Sequence, residues 1–395
     1  MPRRLLALVV LSVLAMACDP SRPLSPATAG VRKNITVPVP YVAKVTLTDL
    51  GGVDGGTSYG SDVNDSGTVA GWATIPGHIT GTTHIPPSNA PFVWSPATGM
   101  RFITICCGSA YASGINDSGV VVGTGAHGTA WMYRPGQGVT PLAPLYPAEG
   151  TANVVSASRI GKDGRINGDG YGNNRFYDQN AIIWNDWNPS VAIPQLPSYY
   201  VTGLVEPYPI GTGIDDNGDA TGWFDENHNP CWIFDASGGL TWATVMIGGT
   251  PADTSNCNGV NTSRNVVGVA SSVVISQAAF LLNFPTGQTT LLGSLTGPNN
   301  WSIANDINEG DYVVGQSDYV LPGTTKHSSA AFIWNAIFGM VNLGLLKSPN
   351  PSCSANAINH DMQGNTIYVA GHCVDASGVT HAVRWTVTIA YRLLS

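Results

Sequence analysis

Charge is scarce in this 395-residue chain, where only 11% of the residues are Asp, Glu, Lys or Arg. The 17 basic residues form no cluster and are outnumbered by 25 acidic ones, which gives a net charge of −8 at pH 7. That balance argues against nucleic acid or an anionic membrane surface as a direct partner. No segment carries the 3.6-residue periodicity of a convincing amphipathic helix, so a helical protein is excluded. There is no H-E-x-x-H and no P-loop. No C-x-x-C or paired histidines support zinc, so neither a metal nor a cofactor is expected. What is plentiful is glycine (47) and proline (27), which suits a chain of many short strands and turns.

The stretch SGINDSGVVVG at 113–123 organises the rest. Versions of it read DVNDSGTVAG at 62–71, RIGKDGRING at 159–168, GIDDNGDATG at 213–222, GVNTSRNVVG at 259–268 and DINEGDYVVG at 306–315. A seventh, AINHDMQGNTIYVAG at 357–371, carries an insertion. The closing glycines are Gly71, Gly123, Gly168, Gly222, Gly268, Gly315 and Gly371, spaced 45 to 56 residues apart. That is a solenoid or propeller period. Each copy reads as strand, turn, strand: Asn and Asp bond the backbone two residues on, and Gly supplies the positive φ of a tight hairpin. Asn116, Asp117 and their counterparts could be read as calcium ligands. The full loop with its terminal glutamate is missing, however, and Lys162 and Thr262 replace the acid in two copies. Hairpin geometry is the better account.

A small or apolar residue leading into an aromatic recurs as PFVW at 91–94, AWMY at 130–133, AIIW at 181–184, CWIF at 231–234, AFLL at 279–282, AFIW at 331–334 and AVRW at 382–385. These read as third strands, and turns such as SPATGM at 95–100 lead to a fourth. Because Trp94, Trp184, Trp334 and Trp385 recur with the period, packing between blades explains them better than ligand stacking. The last segment, 381–395, has no Gly or Pro to turn it into a separate fourth strand, whereas VAKVTLTDLGG at 42–52 looks like an orphan. Joining the two predicts an all-β fold: a seven-bladed β-propeller of four-stranded antiparallel blades, closed by the N-terminal strand in the last blade. An open β-solenoid is the competing fold, with turns usually much shorter than 45 residues.

The pieces LTDLGG at 47–52, GINDSGVVVG at 114–123, AAFIW at 330–334 and GMVNLGLL at 339–346 resemble the HAF-type extracellular repeat proteins. The resemblance covers about residues 44–395. It implies a repeat architecture and an extracellular or envelope location, and it carries no common activity to transfer.

Residues 1–17 place Arg3 and Arg4 before LLALVVLSVLAMA, an export signal too short to prefer a membrane span. Ala-Met-Ala before Cys18 resembles a bacterial lipoprotein processing box, with Cys18 as the lipidated first residue; Ala15 departs from the leucine commonest there. Residues 18–40 then read as a lipidated N-terminus and flexible tether, and 41–395 as one propeller domain. Membrane association is expected only through the Cys18 anchor. Six cysteines remain, Cys106, Cys107, Cys231, Cys257, Cys353 and Cys373, an even number that suits disulfides in an exported protein. Cys353 and Cys373 flank the seventh hairpin, Cys231 and Cys257 lie in successive repeats, and Cys106 and Cys107 are either a vicinal pair or two free thiols.

With four strands per blade, the loops joining strands two and three, and those joining blades, fall on one face; the N-D-x-G turns fall on the other. The first face carries the variable loops at 73–91, 168–180, 223–230 and 316–329, and loops on a rigid scaffold are where binding resides. The candidate ligand-binding residues are Tyr171, Arg175, Tyr177, Asp178, Trp223, Asp225, Glu226 and His228, with aromatics to stack on a sugar ring or peptide side chain and charged groups to orient it. No residue qualifies as catalytic by sequence, although Asp225 or Glu226 with His228 could act as acid and base. The favoured function is a binding or scaffolding module of the cell envelope for a glycan or protein ligand. A propeller-type glycan hydrolase or lyase is the alternative, and a purely structural envelope protein the third.

Overall fold

In the computed structural model, residues 38–393 are described except for 81–82, 106–107, 127, 143–153, 172–178, 185–208, 225–229 and 236–238. Cys18, Cys106 and Cys107 lie outside the described residues. The chain is all β, with seven antiparallel blades in a ring. Blade one comprises Ser58–Val63, Val69–Ile75, Ser88–Ser95 and Gly99–Phe102, paired in that order. Blades two, four, five and six repeat this meander, and blade three shows three strands among the described residues. The first strands of blades two to seven are Tyr111–Ile115, Val154–Ile160, Pro209–Ile214, Thr254–Val260, Ser302–Ile307 and Cys353–Ile358.

Closure follows the sequence expectation. Blade seven is ordered Pro38–Gly51, Thr380–Leu393, Thr366–Val374, Cys353–Ile358, so the N-terminal strand completes the C-terminal sheet. Val42, Val45 and Leu47 of that strand pack on the blade six–seven core. At the seam, Asp49 lies 3.1 Å from His381 Nδ1, and Arg384 donates to the Gly67 carbonyl at 2.9 Å. Pro38–Gly51 thereby becomes the outer edge strand of blade seven, hydrogen-bonded to Thr380–Leu393.

Apolar side chains alternate along strands that are covered on both faces, so the core is divided among the interfaces between neighbouring blades. One interface joins Ala70 and Ile103 of blade one to Ile115 and Trp131 of blade two; another joins Val267 and Phe280's neighbour Ala279 of blade five to Phe332 and Trp334 of blade six. Trp94, Trp184, Trp334 and Trp385 are all buried in such interfaces, as their periodicity predicts.

The repeated glycines have two separate causes. In the turns, Gly67 and Gly119 adopt φ of +74° and +75°, and where the glycine is missing Arg264 and Asp311 take the same left-handed conformation at +57°. L-residues pay about 1 kcal/mol for that conformation. The closing glycine is needed for close approach instead. A Cβ on Gly71 would run into the Tyr59 carbonyl and the Phe92 ring, and one on Gly222 into the Ile210 carbonyl and the Trp232 indole. In blades one, two, four and seven the third-strand aromatic therefore closes over a position that only glycine can fill.

Two disulfides are present. Cys231–Cys257 (Cα–Cα 5.6 Å) links the third strand of blade four to the first strand of blade five. Cys353–Cys373 (Cα–Cα 4.1 Å) joins directly opposed residues within blade seven. Such bonds suit an oxidising compartment.

Candidate functional site

Each first strand carries one extra residue opposite its partner, a β-bulge at Ser61, Ser113, Ser158, Thr212, Asn258, Asn305 or Asn356. Bulges re-aim a side chain, and here all seven are aimed at the axis of the ring. With Trp72, Tyr111, Ala112 and Arg159 they line an open cavity of about 570 Å³. Many of them also stitch the ring together. Asn258, Asn305 and Asn356 donate through Nδ2 to the carbonyls of Ala304, Ala355 and Gly60 in the following blade, at 2.8, 2.7 and 2.8 Å. The hydroxyls of Ser113 and Thr212 donate likewise to the carbonyls of Ala157 and Cys257.

The floor of the cavity is Arg159. One residue past the bulge, blades two, four and five carry Gly114, Gly213 and Gly259, which leaves room for the guanidinium of blade three to cross the axis. Its Nη1 lies 2.8 Å from Asp62 Oδ1, and its Nη2 donates to the Asn356 carbonyl at 3.1 Å and lies 3.8 Å from Asp306 Oδ2. Burial opposes the charge on Arg159, yet the two aspartates more than offset it and raise its pKa. Burial in turn raises the Asp306 carboxyl, against the pull of Arg159.

One sector of the rim is aromatic. Trp72 stacks on Tyr59 with centroids 4.4 Å apart, Tyr111 meets Trp72 edge-on at 5.1 Å, and His372 tilts against Tyr59 at 4.8 Å. Asn89 holds the Tyr111 hydroxyl at 2.8 Å. Burial pushes the His372 imidazole down to about 4, so it is neutral at pH 7.

The opposite mouth, built by the N-D-x-G turns, is ionic. The turn Asn or Asp does what hairpin geometry predicts: Asn116 Oδ1 accepts from the Ser118 and Val120 amides at 3.1 Å each. Its Nδ2 group then reaches the next blade, as Asn64 to the Asn116 carbonyl (3.1 Å) and Asn261 to the Asn308 carbonyl (3.0 Å) show. The following residue points at the axis, bringing together Asp65, Asp117, Lys162, Asp216, Thr262, Glu309 and His360. Lys162 Nζ lies 2.7 Å from Asp361, 3.6 Å from Asp117 and Asp216, and 3.8 Å from Asp65. His360 Nδ1 lies 2.8 Å from Asp216; burial opposes its charge, but the bond to Asp216 and that carboxylate's field push it up to about 9. Asp216, Glu309 and His360 place ligand atoms within 4.8 Å of one another, a set that could hold a metal ion. A metal there would have to displace the His360 proton beside the Lys162 ammonium.

Of the sequence-predicted residues, Trp223 is half-buried in the second strand of blade four, paired with Ile210 and Cys231, and packs on the core that holds the Cys231–Cys257 bond. It occupies in blade four the position that Trp72 occupies in blade one, each directly after a closing glycine. Tyr171 ends the strand Ile166–Tyr171. Arg175, Tyr177, Asp178, Asp225, Glu226 and His228 lie outside the described residues. The bulge ring was missed, although its signal is in the sequence: every copy has Ser, Thr or Asn three positions before the first turn residue. Also passed over was the string GTSYG at 56–60, which spells the G-x-S-x-G of a nucleophile elbow. Its Ser58 is fully buried, bonds the Gly51 carbonyl and accepts from the Ala382 amide, and so belongs to ring closure.

No protein-family model matches the chain, and no curated protein does. Among solved structures, virginiamycin B lyase from Staphylococcus aureus is 15% identical over 87% of this chain and 99% of that one, with a TM-score of 0.46. A puromycin hydrolase mutant complexed with PGG is 11% identical over 82% of this chain at a TM-score of 0.49, and this chain spans 53% of its length. A protein of unknown function from Dyadobacter fermentans is 11% identical over 90% of this chain and 100% of that one, at 0.41. Likenesses this remote assign neither site nor activity.

Proposed function

We propose that this protein is an exported cell-envelope binding module that takes a glycan or protein ligand at the bulge-ring mouth of its channel. The observation that carries the reading is the cavity of about 570 Å³, within the range of small-ligand sites, ringed by hydroxyls and amides with aromatics on one side. Among the described residues lining it there is no carboxylate, and the neighbouring His372 imidazole is kept neutral by burial, so no carboxylic acid paired with a base faces the cavity. The export signal before Cys18, the resemblance to HAF-type repeats and the two disulfides support placement outside the cytoplasm, with Cys18 as a lipid anchor. The test is an array of glycans and of peptides probed with the full-length protein. Saturable binding without product release supports the module, and release of a cleaved product overturns it in favour of an enzyme.

A further inference from the structure

We infer that the ligand of the bulge-ring mouth is an uncharged saccharide, bound with one sugar face on Trp72 and its hydroxyls against the ring; this rests on the binding-module reading above. Three features of the cavity converge on that chemistry.

The first is the ring itself, to which seven bulges contribute only hydroxyls and amides. An amide carries two N–H donors and an acceptor oxygen. The inter-blade bond from Asn258 or Asn305 uses one N–H and thereby fixes the side chain, so the polar ring is oriented before a ligand arrives. Pre-orientation of this kind removes part of the ordering cost of binding. A sugar, with a hydroxyl on nearly every carbon, presents paired donors and acceptors at matching density.

The second is the asymmetry of the rim. Trp72 and Tyr111 border the cavity, and Trp72 is backed by Tyr59 at 4.4 Å while Tyr111 is held by Asn89. At the corresponding second-strand positions, blades two to seven carry Thr124, Asp169, Trp223, Val269, Gln316 and His372, and of these six none is among the residues that line the cavity. A rigid indole on one side and hydrogen-bonding groups on the other fit a ring with one apolar face and a polar perimeter. Among the described residues of the lining, a peptide side chain would find this sector and Ala112 to bury against.

The third is charge. Arg159 is the charged residue of the lining, and its guanidinium is already committed to Asp62 at 2.8 Å and faces Asp306 at 3.8 Å. Among the described residues that line the cavity no positive charge is left over for a carboxylate, sulfate or phosphate group, so an acidic glycan gains no cation from them and meets two carboxylates beneath the floor.

The experiment uses full-length protein titrated calorimetrically with neutral oligosaccharides, acidic oligosaccharides and short peptides, each at low and high salt. The expected result is saturable binding of a neutral saccharide with an affinity that salt leaves unchanged, reduced at least tenfold in Trp72→Ala and Asn258→Ala and largely kept in Trp72→Phe. Thermal melts of each variant separate loss of binding from loss of fold. If an acidic glycan or a peptide binds instead, and Trp72→Ala abolishes it, the saccharide assignment is overturned while the binding mouth stands. If the panel gives no binding, or binding that neither substitution changes, both the assignment and the mouth are wrong.

Discussion

The two ends of the ring's axis are built from positions four residues apart in each repeat, one in the bulge and one in the turn that follows, yet they differ in kind. At one, bulged Ser, Thr and Asn side chains surround a cavity with an aromatic rim and a neutralised arginine floor. At the other, acids, Lys162 and His360 pair among themselves. In the first arrangement Ser113, Thr212, Asn258, Asn305 and Asn356 each donate to a carbonyl of the next blade and keep their remaining capacity for the cavity; in the second the charged groups bond one another. Periodicity alone therefore does not separate a binding ring from a structural one, and what separates them is where the partners of each polar group lie.

The largest expected effect tests whether the two mouths depend on one closed ring. Deleting residues 1–52 removes the strand Pro38–Gly51 that completes blade seven, and should abolish the cooperative melt or lower its midpoint by more than 10 °C. Deleting 1–37 should leave the melt nearly unchanged. Equal loss in both truncations would show that ring closure does not rest on this strand.

Arg159 separates the mouths, and Arg159→Ala leaves Asp62 and Asp306 facing each other without their cation. Breaking a buried pair from one side costs about 3–5 kcal/mol, to be read from denaturant unfolding at pH 7. A loss below 1 kcal/mol would mean that water already screens the floor and that the cavity runs through to the turn face.

pH should drive the mouths in opposite directions. At the turn face Asp215 stands where five of the other blades use Asn; its Oδ1 accepts from the Asn217 and Asp219 amides at 2.8 and 2.9 Å, and burial pushes its carboxyl up to about 7. The folded state then binds the extra proton, so this group's contribution is full below about pH 4 and is lost as pH rises to about 7. At the cavity rim, His372 is pushed down to about 4, so its contribution is full above about pH 6.5 and is lost as pH falls to about 4. At ~1.4 kcal/mol per pKa unit the two slopes are similar in size and opposed. Asp215→Asn should remove the first, raising stability at pH 8 by on the order of 1–3 kcal/mol and making stability between pH 4 and 6.5 climb more steeply than in the parent. A parallel profile for parent and variant would show that Asp215 is ionised in the fold.

Smallest of all should be Lys162→Met. Its side chain is 42% exposed, and pairs of that kind contribute under about 1 kcal/mol, less as salt rises. A larger, salt-independent loss would make the turn face a buried electrostatic core instead of a solvated one.

The sequence by itself determined the repeat, and with it the number of blades, the turn chemistry and the strand that closes the ring. These are legible because one physical requirement recurs: Asn-x-x-Gly to turn the hairpin, a closing glycine beneath an aromatic, and alternating apolar residues between blades. The two disulfide pairs were legible as well, since Cys353 and Cys373 flank a hairpin and Cys231 and Cys257 sit in successive blades. Which polar groups meet was decided only by the tertiary structure. Ser61 and Asn305 are 244 positions apart in the chain and line one cavity, because a bulge in each first strand turns a side chain toward an axis that no single repeat contains. Arg159 could be seen in the sequence only as one residue of a degenerate third copy; that it crosses to Asp62 and Asp306 depends on the glycines that three other blades place at its level. Local pattern encodes the hydrogen bonds a strand makes with its neighbour, while the axis belongs to all seven blades at once and exists only when the ring has closed.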